Sequence, residues 1–353
     1  MTDLKRRINA FTKLGEFFDE FYEFAKKDPK NEENQNPYLE EFDKKITVAR
    51  HKNGWFTKEN CLYGIKGWAE LLTHENLEEW LAPYHIQERS PKTIALVMAG
   101  NIPLVGFHDF LAVVITGNKA LIKLSSNDDI LLPFIAAFLI DVEPGLGDYI
   151  SFAGGRLEKF DAVIATGSNN TSLYFEHYFG KKPNIIRKNR NSVAILKGDE
   201  TEDQLQALGE DIFRYYGLGC RSVSKLFVPK GYDFDAFYKA VYRYRPILEL
   251  VKYANNYDYN KAVYLMSEFK FLDNGFLMLK EDPSFASPIA TLFYETYDST
   301  DQLHNVLRAD ADKLQCIVGS GVWKDEISFG QTQRPMLSDY ADGVDTVEFL
   351  LNN

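Results

Sequence analysis

Leu4, Ile8, Phe11, Leu14, Phe18, Phe21 and Phe24 recur three to four positions apart, the spacing of one apolar face on a helix. The repeat stops in the polar stretch 28–36, which predicts a loop. Further helical runs are expected over about 57–72 and 77–82, the second ended by Pro83. From residue 93 the pattern changes to short apolar runs alternating with helical segments, the mark of an α/β sheet. Strands are expected at 93–98, 120–124, 149–153, 161–165 and 193–196, with helices at 103–115, up to 140 and from about 171. Leu205, Leu208, Ile212 and Tyr216 then mark a helix over 201–216, followed by an apolar strand at 223–228. A helix at 235–244, strands at 275–279 and 290–297, a helix at 301–307 and a strand at 315–318 complete the second half. Residues 330–335 are turn-rich, and 345–350 alternate in the manner of an edge strand.

This order places several reactive side chains at bends. Gly217 and Gly219 stop the preceding helix and present Cys220 just before an apolar strand. A cysteine there is either a small buried hydrophobe or a nucleophile whose neighbouring backbone N–H groups face a developing oxyanion. Asn101 follows the strand at 93–98, on the carboxyl edge where open α/β sheets hold ligands. It either caps the following helix or donates its amide to a carbonyl oxygen. Lys123 interrupts an apolar strand; a cofactor hydroxyl or phosphate would account for it, and so would a strand end with the ammonium in water. Thr166-Gly167-Ser168 joins a strand to a helix N-terminus, a geometry that accepts phosphate, although no GxGxxG is present. His177 is a candidate proton donor, and equally an ordinary helix histidine.

At 353 residues the chain is long enough for two cores. A hydrophobic content of 45% and a charged content of 26% are ordinary for a globular protein. The net charge of -11 argues against a nucleic-acid or anionic-membrane binder. No apolar run is long enough to insert in a membrane, and the N-terminal residues show no signal peptide, so a cytoplasmic location is expected. Cys61, Cys220 and Cys316 are far apart and form no CxxC pair, and the six histidines show no ligand spacing. No metal is expected.

Three segments stand in one order: Ala99-Gly100-Asn101-Ile102-Pro103 with the run 117–125; Asp161-Ala162-Val163-Ile164-Ala165-Thr166-Gly167-Ser168; and Gly217-Leu218-Gly219-Cys220-Arg221-Ser222-Val223-Ser224. Together they resemble the aldehyde dehydrogenase superfamily, and within it the LuxC-type acyl-CoA reductases. The resemblance runs from about Trp55 to the end. It implies an α/β, aldehyde dehydrogenase-like fold of two α/β domains with an N-terminal helical flank. The Rossmann-like cofactor domain would span 1–188 and the catalytic cysteine domain 189–320. A tail at 321–353 would return to the cofactor domain or to an oligomer interface, and the active site would lie in the interdomain cleft.

The resemblance assigns Cys220 as nucleophile and Asn101, with the Cys220 N–H, as the oxyanion hole. It places Lys123 on the adenine ribose and Gly167 and Ser168, with Thr166, at the cofactor phosphates. The segment 187–191 matches one that carries a glutamate in hydrolytic members, but here contains no carboxylate. Ser125 and Ser126 stand where NAD-preferring members place a glutamate, so NADPH is the expected cofactor. No match for the glutamate that holds the nicotinamide ribose is found at 284–288. The activity implied is NADPH-dependent reduction of an acyl-CoA to the aldehyde through an acyl-cysteine, with Arg221 and turn amides lowering the thiol pKa. A homo-oligomer and an acyl-activating synthetase partner are also implied. The alternatives are an acylating or hydrolytic aldehyde dehydrogenase running oxidatively, and a catalytically silent scaffold.

Overall fold

The computed structural model describes residues 3–27 and 36–353, so most of the expected loop at 28–36 lies outside the described residues. The chain divides into two units, Met1–Lys188 with Met336–Asn353, and Asn189–Pro335.

The first unit begins with four helices, α1 (Asp3–Lys26), α2 (Pro37–Lys52), α3 (Lys58–Leu71) and α4 (His74–Leu81). Side chains of Asn36, Thr57 and Thr73 cap the last three, each accepting a backbone N–H of the first turn. The apolar face of α1 packs on α3 so closely that a Cβ on Gly15 would lie 2.7 Å from the Leu72 carbonyl oxygen. Phe17 stacks on Phe138 at 4.5 Å, and Phe42 on Phe134 at 4.7 Å. Each ring buried this way contributes about 1.5–3 kcal/mol.

The unit continues with β1 (Thr93–Val97), α5 (Phe107–Ile115), β2 (Lys119–Lys123), α6 (Leu131–Val142), β3 (Ile150–Phe152), β4 (Ala162–Thr166), α7 (Asn169–Phe179) and β5 (Asn184–Arg187). The five strands form a parallel sheet in the order β3-β2-β1-β4-β5. β1 is central: the chain first winds outward through β2 and β3, then crosses back to β4 on the other side. That reversal opens a crevice at the carboxyl ends of β1 and β4, where doubly wound sheets bind ligands.

The expected helix at 103–115 starts later, at Phe107, because Leu104 adopts a left-handed conformation (φ 57) and breaks the turn before it. The expected edge strand at 345–350 is instead a helix, Thr346–Asn352. The Asp345 carboxylate caps it by accepting the Glu348 N–H at 2.8 Å, and Val347 and Leu350, three apart, are both buried. Six residues of apparent alternation could not outweigh that cap. Tyr84 donates to Asp345 at 2.6 Å, tying this returning segment to the residues after α4.

The second unit contains β6 (Asn191–Ile195), α8 (Glu202–Phe213), β7 (Val223–Pro229), α9 (Asp235–Val241), α10 (Val251–Met266), β8 (Leu272–Asp273), β9 (Met278–Glu281), β10 (Thr291–Tyr297), α11 (Thr300–Ala309) and β11 (Leu314–Val318); the C-terminal helix of the first unit is α12. Its sheet runs β11-β6-β7-β10-β9-β8, parallel except for the β8–β9 edge pair. The sequence pattern showed no element at α10. Its buried face is built from tyrosines, Tyr253, Tyr257 and Tyr264, with Asn260, rather than from an aliphatic stripe. α8 ends at Phe213, three residues short of the expected 216, because Tyr215 and Tyr216 are both left-handed (φ 54 and 60).

Candidate active site

The first group of candidate residues gathers at the carboxyl edge of the parallel sheet. Val97 lies beside Lys123 on β2 and Ala165 on β4, so residues following these strands emerge together. The loop between β1 and α5 is held from several sides. A Cβ on Gly100 would lie 2.6 Å from Ser125 Oγ, so only glycine fits there. Buried Asn53 donates to the Gly100 carbonyl at 3.2 Å. The Leu104 N–H points to a carboxylate oxygen of buried Asp128 at 3.4 Å. Burial pushes the Asp128 carboxyl up to about 6, opposed by the backbone N–H groups of Leu104 and Leu131. Asn101 is exposed at the tip of this braced loop.

Lys123 is half-exposed at the end of β2, its ammonium donating to the Gly155 carbonyl at 3.0 Å. Ser125 Oγ accepts the Asn127 N–H at 3.2 Å, so this hydroxyl helps shape its own turn. On the other side of β1, Ser168 caps α7 by accepting the Thr171 N–H at 3.2 Å. A Cβ on Gly167 would lie 2.9 Å from the Phe175 ring, which places that backbone hard against the first turns of the helix. The edge therefore brings together Asn101, Lys123, Ser125, Thr166, Gly167 and Ser168. His177 stands apart, exposed toward the end of α7 with its ring against Tyr178.

Cys220 belongs to the second unit. It is exposed, whereas Cys61 and Cys316 are buried. Burial pushes the Cys61 thiol up to about 12. Three successive left-handed residues, Tyr215, Tyr216 and Gly217, swing the chain out of α8. Two of them carry side chains, at a cost of about 1–2 kcal/mol each. The Ser222 N–H closes onto the Gly219 carbonyl at 3.0 Å, and the Ser192 hydroxyl on β6 donates to the Cys220 carbonyl at 2.8 Å. The Arg221 guanidinium donates to the Thr332 carbonyl at 3.2 Å and to the Cys316 sulfur at 3.5 Å.

Two further features, one in each unit, are not legible in the sequence. Lys225 on β7 is fully buried, donating to the Pro283 carbonyl at 2.8 Å and to Glu295 at 2.6 Å between the rings of Phe227 and Phe285. It fastens the loop between β9 and β10 to the strand that follows Cys220. The unusual lysine in an apolar run was the available signal. The second is Arg187, which makes a buried, bidentate ion pair with Asp109 on α5 and donates to Thr346 Oγ1 at the start of α12. Among the described residues no group of three or more His, Cys, Asp or Glu could hold a metal ion. Nor is any helix among them long and apolar enough to cross a membrane.

Two α/β units, one a doubly wound parallel sheet and the other presenting an exposed cysteine between a helix and a parallel strand, define the aldehyde dehydrogenase fold. Solved structures agree. Aldehyde dehydrogenase 21 from Physcomitrella patens superposes with a TM-score of 0.65, covering 100% of this chain and 84% of its own at 12% identity. The aldehyde dehydrogenase KauB from Pseudomonas aeruginosa gives 0.60, covering 94% and 74% at 11% identity. The family model for acyl-CoA reductase (LuxC) matches residues 22–242, well over half of the chain. The chain belongs to that family. A long-chain acyl-protein thioester reductase from Aliivibrio fischeri is 24% identical over 260 residues, 67% of this chain. The chain matches about half of that relative's length, 53%.

Proposed function

We propose that this protein reduces an acyl thioester, an acyl-CoA or an acyl-protein, to the aldehyde, with Cys220 as the nucleophile. The observation that carries the reading is the exposure of Cys220 at a strained turn, while the other two thiols are buried. The Cys220 thiolate attacks the acyl carbonyl, forming a new C–S bond, and the donor's sulfur leaves as a thiol after taking a proton. Asn101 and the Cys220 N–H are the proposed donors to the oxyanion, each worth about 3–4 kcal/mol in sites of this kind. A bound nicotinamide cofactor, proposed to be NADPH, would supply the hydride that reduces the acyl carbon. The C–S bond to Cys220 then breaks, releasing aldehyde and regenerating the thiolate.

The residues present fit a dinucleotide. A Cβ at Gly167 would clash with Phe175 and Thr171, so glycine is needed for the backbone to pack on the start of α7. The N–H groups of that helix N-terminus are the proposed phosphate donors, and Lys123 stands at the end of β2 for the ribose. NADPH is favoured over NADH because the carboxylates nearest in sequence to Ser125 and Ser126 are otherwise engaged. Asp128 is buried toward Leu104, and Asp129 pairs with Lys52 at 2.5 Å. A 2′-phosphate would meet hydroxyls.

Water should deacylate the enzyme slowly. Two carboxylates touch the segment 187–191: Asp109 is bound in a buried pair with Arg187, and Glu176 on α7 pairs with Lys188 at 2.9 Å, so each is held by a cation. This favours thioester reduction over the hydrolytic, oxidative reading. A homo-oligomer and an acyl-activating synthetase that loads the cysteine remain part of the proposal. Exposed Leu265, Met266, Phe269 and Leu272 supply apolar surface that a second copy would cover. The experiment is intact-mass analysis after mixing with acyl-CoAs of varied length without reduced cofactor, followed by NADPH and aldehyde detection. An adduct absent from Cys220→Ser and discharged as aldehyde supports the reading. Adduct on another residue, or discharge as free acid at the same rate without NADPH, would defeat it.

A further inference from the structure

We propose that Asp211 is a positioning residue for the Cys220 turn, acting through the segment 330–333; the inference rests on the reading of Cys220 as nucleophile. Asp211 lies on α8, the helix that leads to Cys220, and is fully buried. One carboxylate oxygen accepts the Gly330 N–H at 2.6 Å. The other accepts the Thr332 N–H at 2.9 Å and the Thr332 hydroxyl at 2.8 Å. Thr332 is itself completely buried. A Cβ on Gly330, which is left-handed at φ 81, would come within 3.1 Å of the Ala207 Cβ, so this segment lies directly on α8.

What Asp211 holds then holds the cysteine turn. The Thr332 carbonyl receives the Arg221 guanidinium at 3.2 Å, and the Gln333 amide donates to Ser222 Oγ at 3.4 Å. Arg221 and Ser222 are the two residues that follow Cys220. On the near side the turn is entered through left-handed Tyr215 and Tyr216. Strained backbone of this kind persists only where its surroundings over-determine it. The contact series Asp211, Thr332, Arg221 supplies that constraint and keeps a cation next to Cys220 in the chain, engaged with protein acceptors.

A buried carboxylate is a costly way to fasten a loop, and it makes the fastening sensitive to protons. Burial pushes the Asp211 carboxyl up to about 6, opposed by the Gly330 and Thr332 donors and reinforced by Glu210. The charged and titratable groups around this brace are Glu210 on α8, which pairs with Arg214 at 2.5 Å and meets the Tyr244 hydroxyl at 3.4 Å, Arg221 on the cysteine turn, and Cys316 on β11. Below about pH 6 the carboxyl gains an O–H that opposes the N–H groups it had accepted, and the brace loosens.

The test compares full-length wild type with Asp211→Asn, Thr332→Val and Thr332→Ser. Alkylation of Cys220 by iodoacetamide is followed from pH 5 to 9 by peptide mass mapping, with acyl loading from acyl-CoA measured in parallel. Wild type is expected to show a bend near pH 6, and Asp211→Asn to lose it and to slow Cys220 alkylation about ten-fold at pH 8. Thr332→Val is expected to slow it about three-fold, and Thr332→Ser to restore it. Thr332→Val decides the question if Asp211→Asn does not fold. Wild-type rates and an unchanged pH profile in the folded variants would overturn the inference. If wild type loads no acyl group from acyl-CoA, direct use of acyl-CoA fails while the alkylation series still reports on Asp211. If acyl loading is normal and the alkylation series is flat, only the positioning role fails.

Discussion

Arg187→Met would leave Asp109 as a buried carboxylate with its bidentate partner removed. Both side chains are only 7% exposed, so solvent cannot take over the lost contacts. Removing one partner of such a pair costs about 3–5 kcal/mol, because the remaining charge is uncompensated. A further contact is lost at Thr346 Oγ1, where Arg187 anchors the returning α12. For a unit of this size, about 2–4 °C is lost per kcal/mol, so the melting temperature should fall by roughly 6–20 °C. The double variant Arg187→Met/Asp109→Leu replaces the whole pair by apolar groups of similar volume and should recover most of the loss. Urea denaturation of wild type, both single variants and the double variant closes the cycle. A coupling energy near zero would refute the reasoning, since it would mean that Asp109 does not depend on Arg187. The cycle also bears on chemistry: Asp109→Leu should leave the rate of acyl-enzyme hydrolysis unchanged, as expected of a carboxylate that is not a base.

Further outcomes follow from the loop that carries Asn101 and from the cofactor edge. The Asp128 carboxyl is raised to about 6 in the folded protein, so its stabilising contribution is fully present below its unfolded value and is lost as pH rises through about 6. Asp128→Asn should therefore flatten the fall in stability between pH 4 and 7, by at most about 3 kcal/mol, in urea titrations; an unchanged slope would show that the group is not buried in solution. Gly100→Ala drives a Cβ to within 2.6 Å of Ser125 Oγ and should cut acyl loading more than ten-fold while the far-UV circular dichroism is kept. Full loading would mean that the loop yields. Lys123→Ala should raise the Kd for NADPH about ten-fold, read by fluorescence titration, without slowing Cys220 acylation; equal loss of both would remove Lys123 from a cofactor role.

Much of the architecture was legible because parallel strands covered on both faces read as continuous apolar runs. Thr93–Val97, Ala162–Thr166 and Val223–Pro229 are strands of that type. Helix caps such as Thr57, Thr73 and Thr201 also announce themselves locally. The misses have physical causes. The short alternation at 345–350 predicts a strand where Asp345 caps a helix, and α10 gives no aliphatic stripe because its packing face is tyrosine. The glycine turn before Cys220 could be read, but the left-handed Tyr215 and Tyr216 could not, since nothing in their side chains asks for that conformation. Asn53 meets Gly100 across 47 positions, and Asp211 meets Thr332 across 121. Braces of that kind are set by tertiary structure, and no local pattern reveals them.

The most direct test of the account is the intact mass of the protein after mixing with acyl-CoAs in the absence of reduced cofactor, with Cys220→Ser beside it. The account predicts a single acyl adduct on Cys220, stable to water over minutes and discharged as aldehyde when NADPH is added. Modification that persists in Cys220→Ser, or an adduct that NADPH leaves untouched, would contradict it.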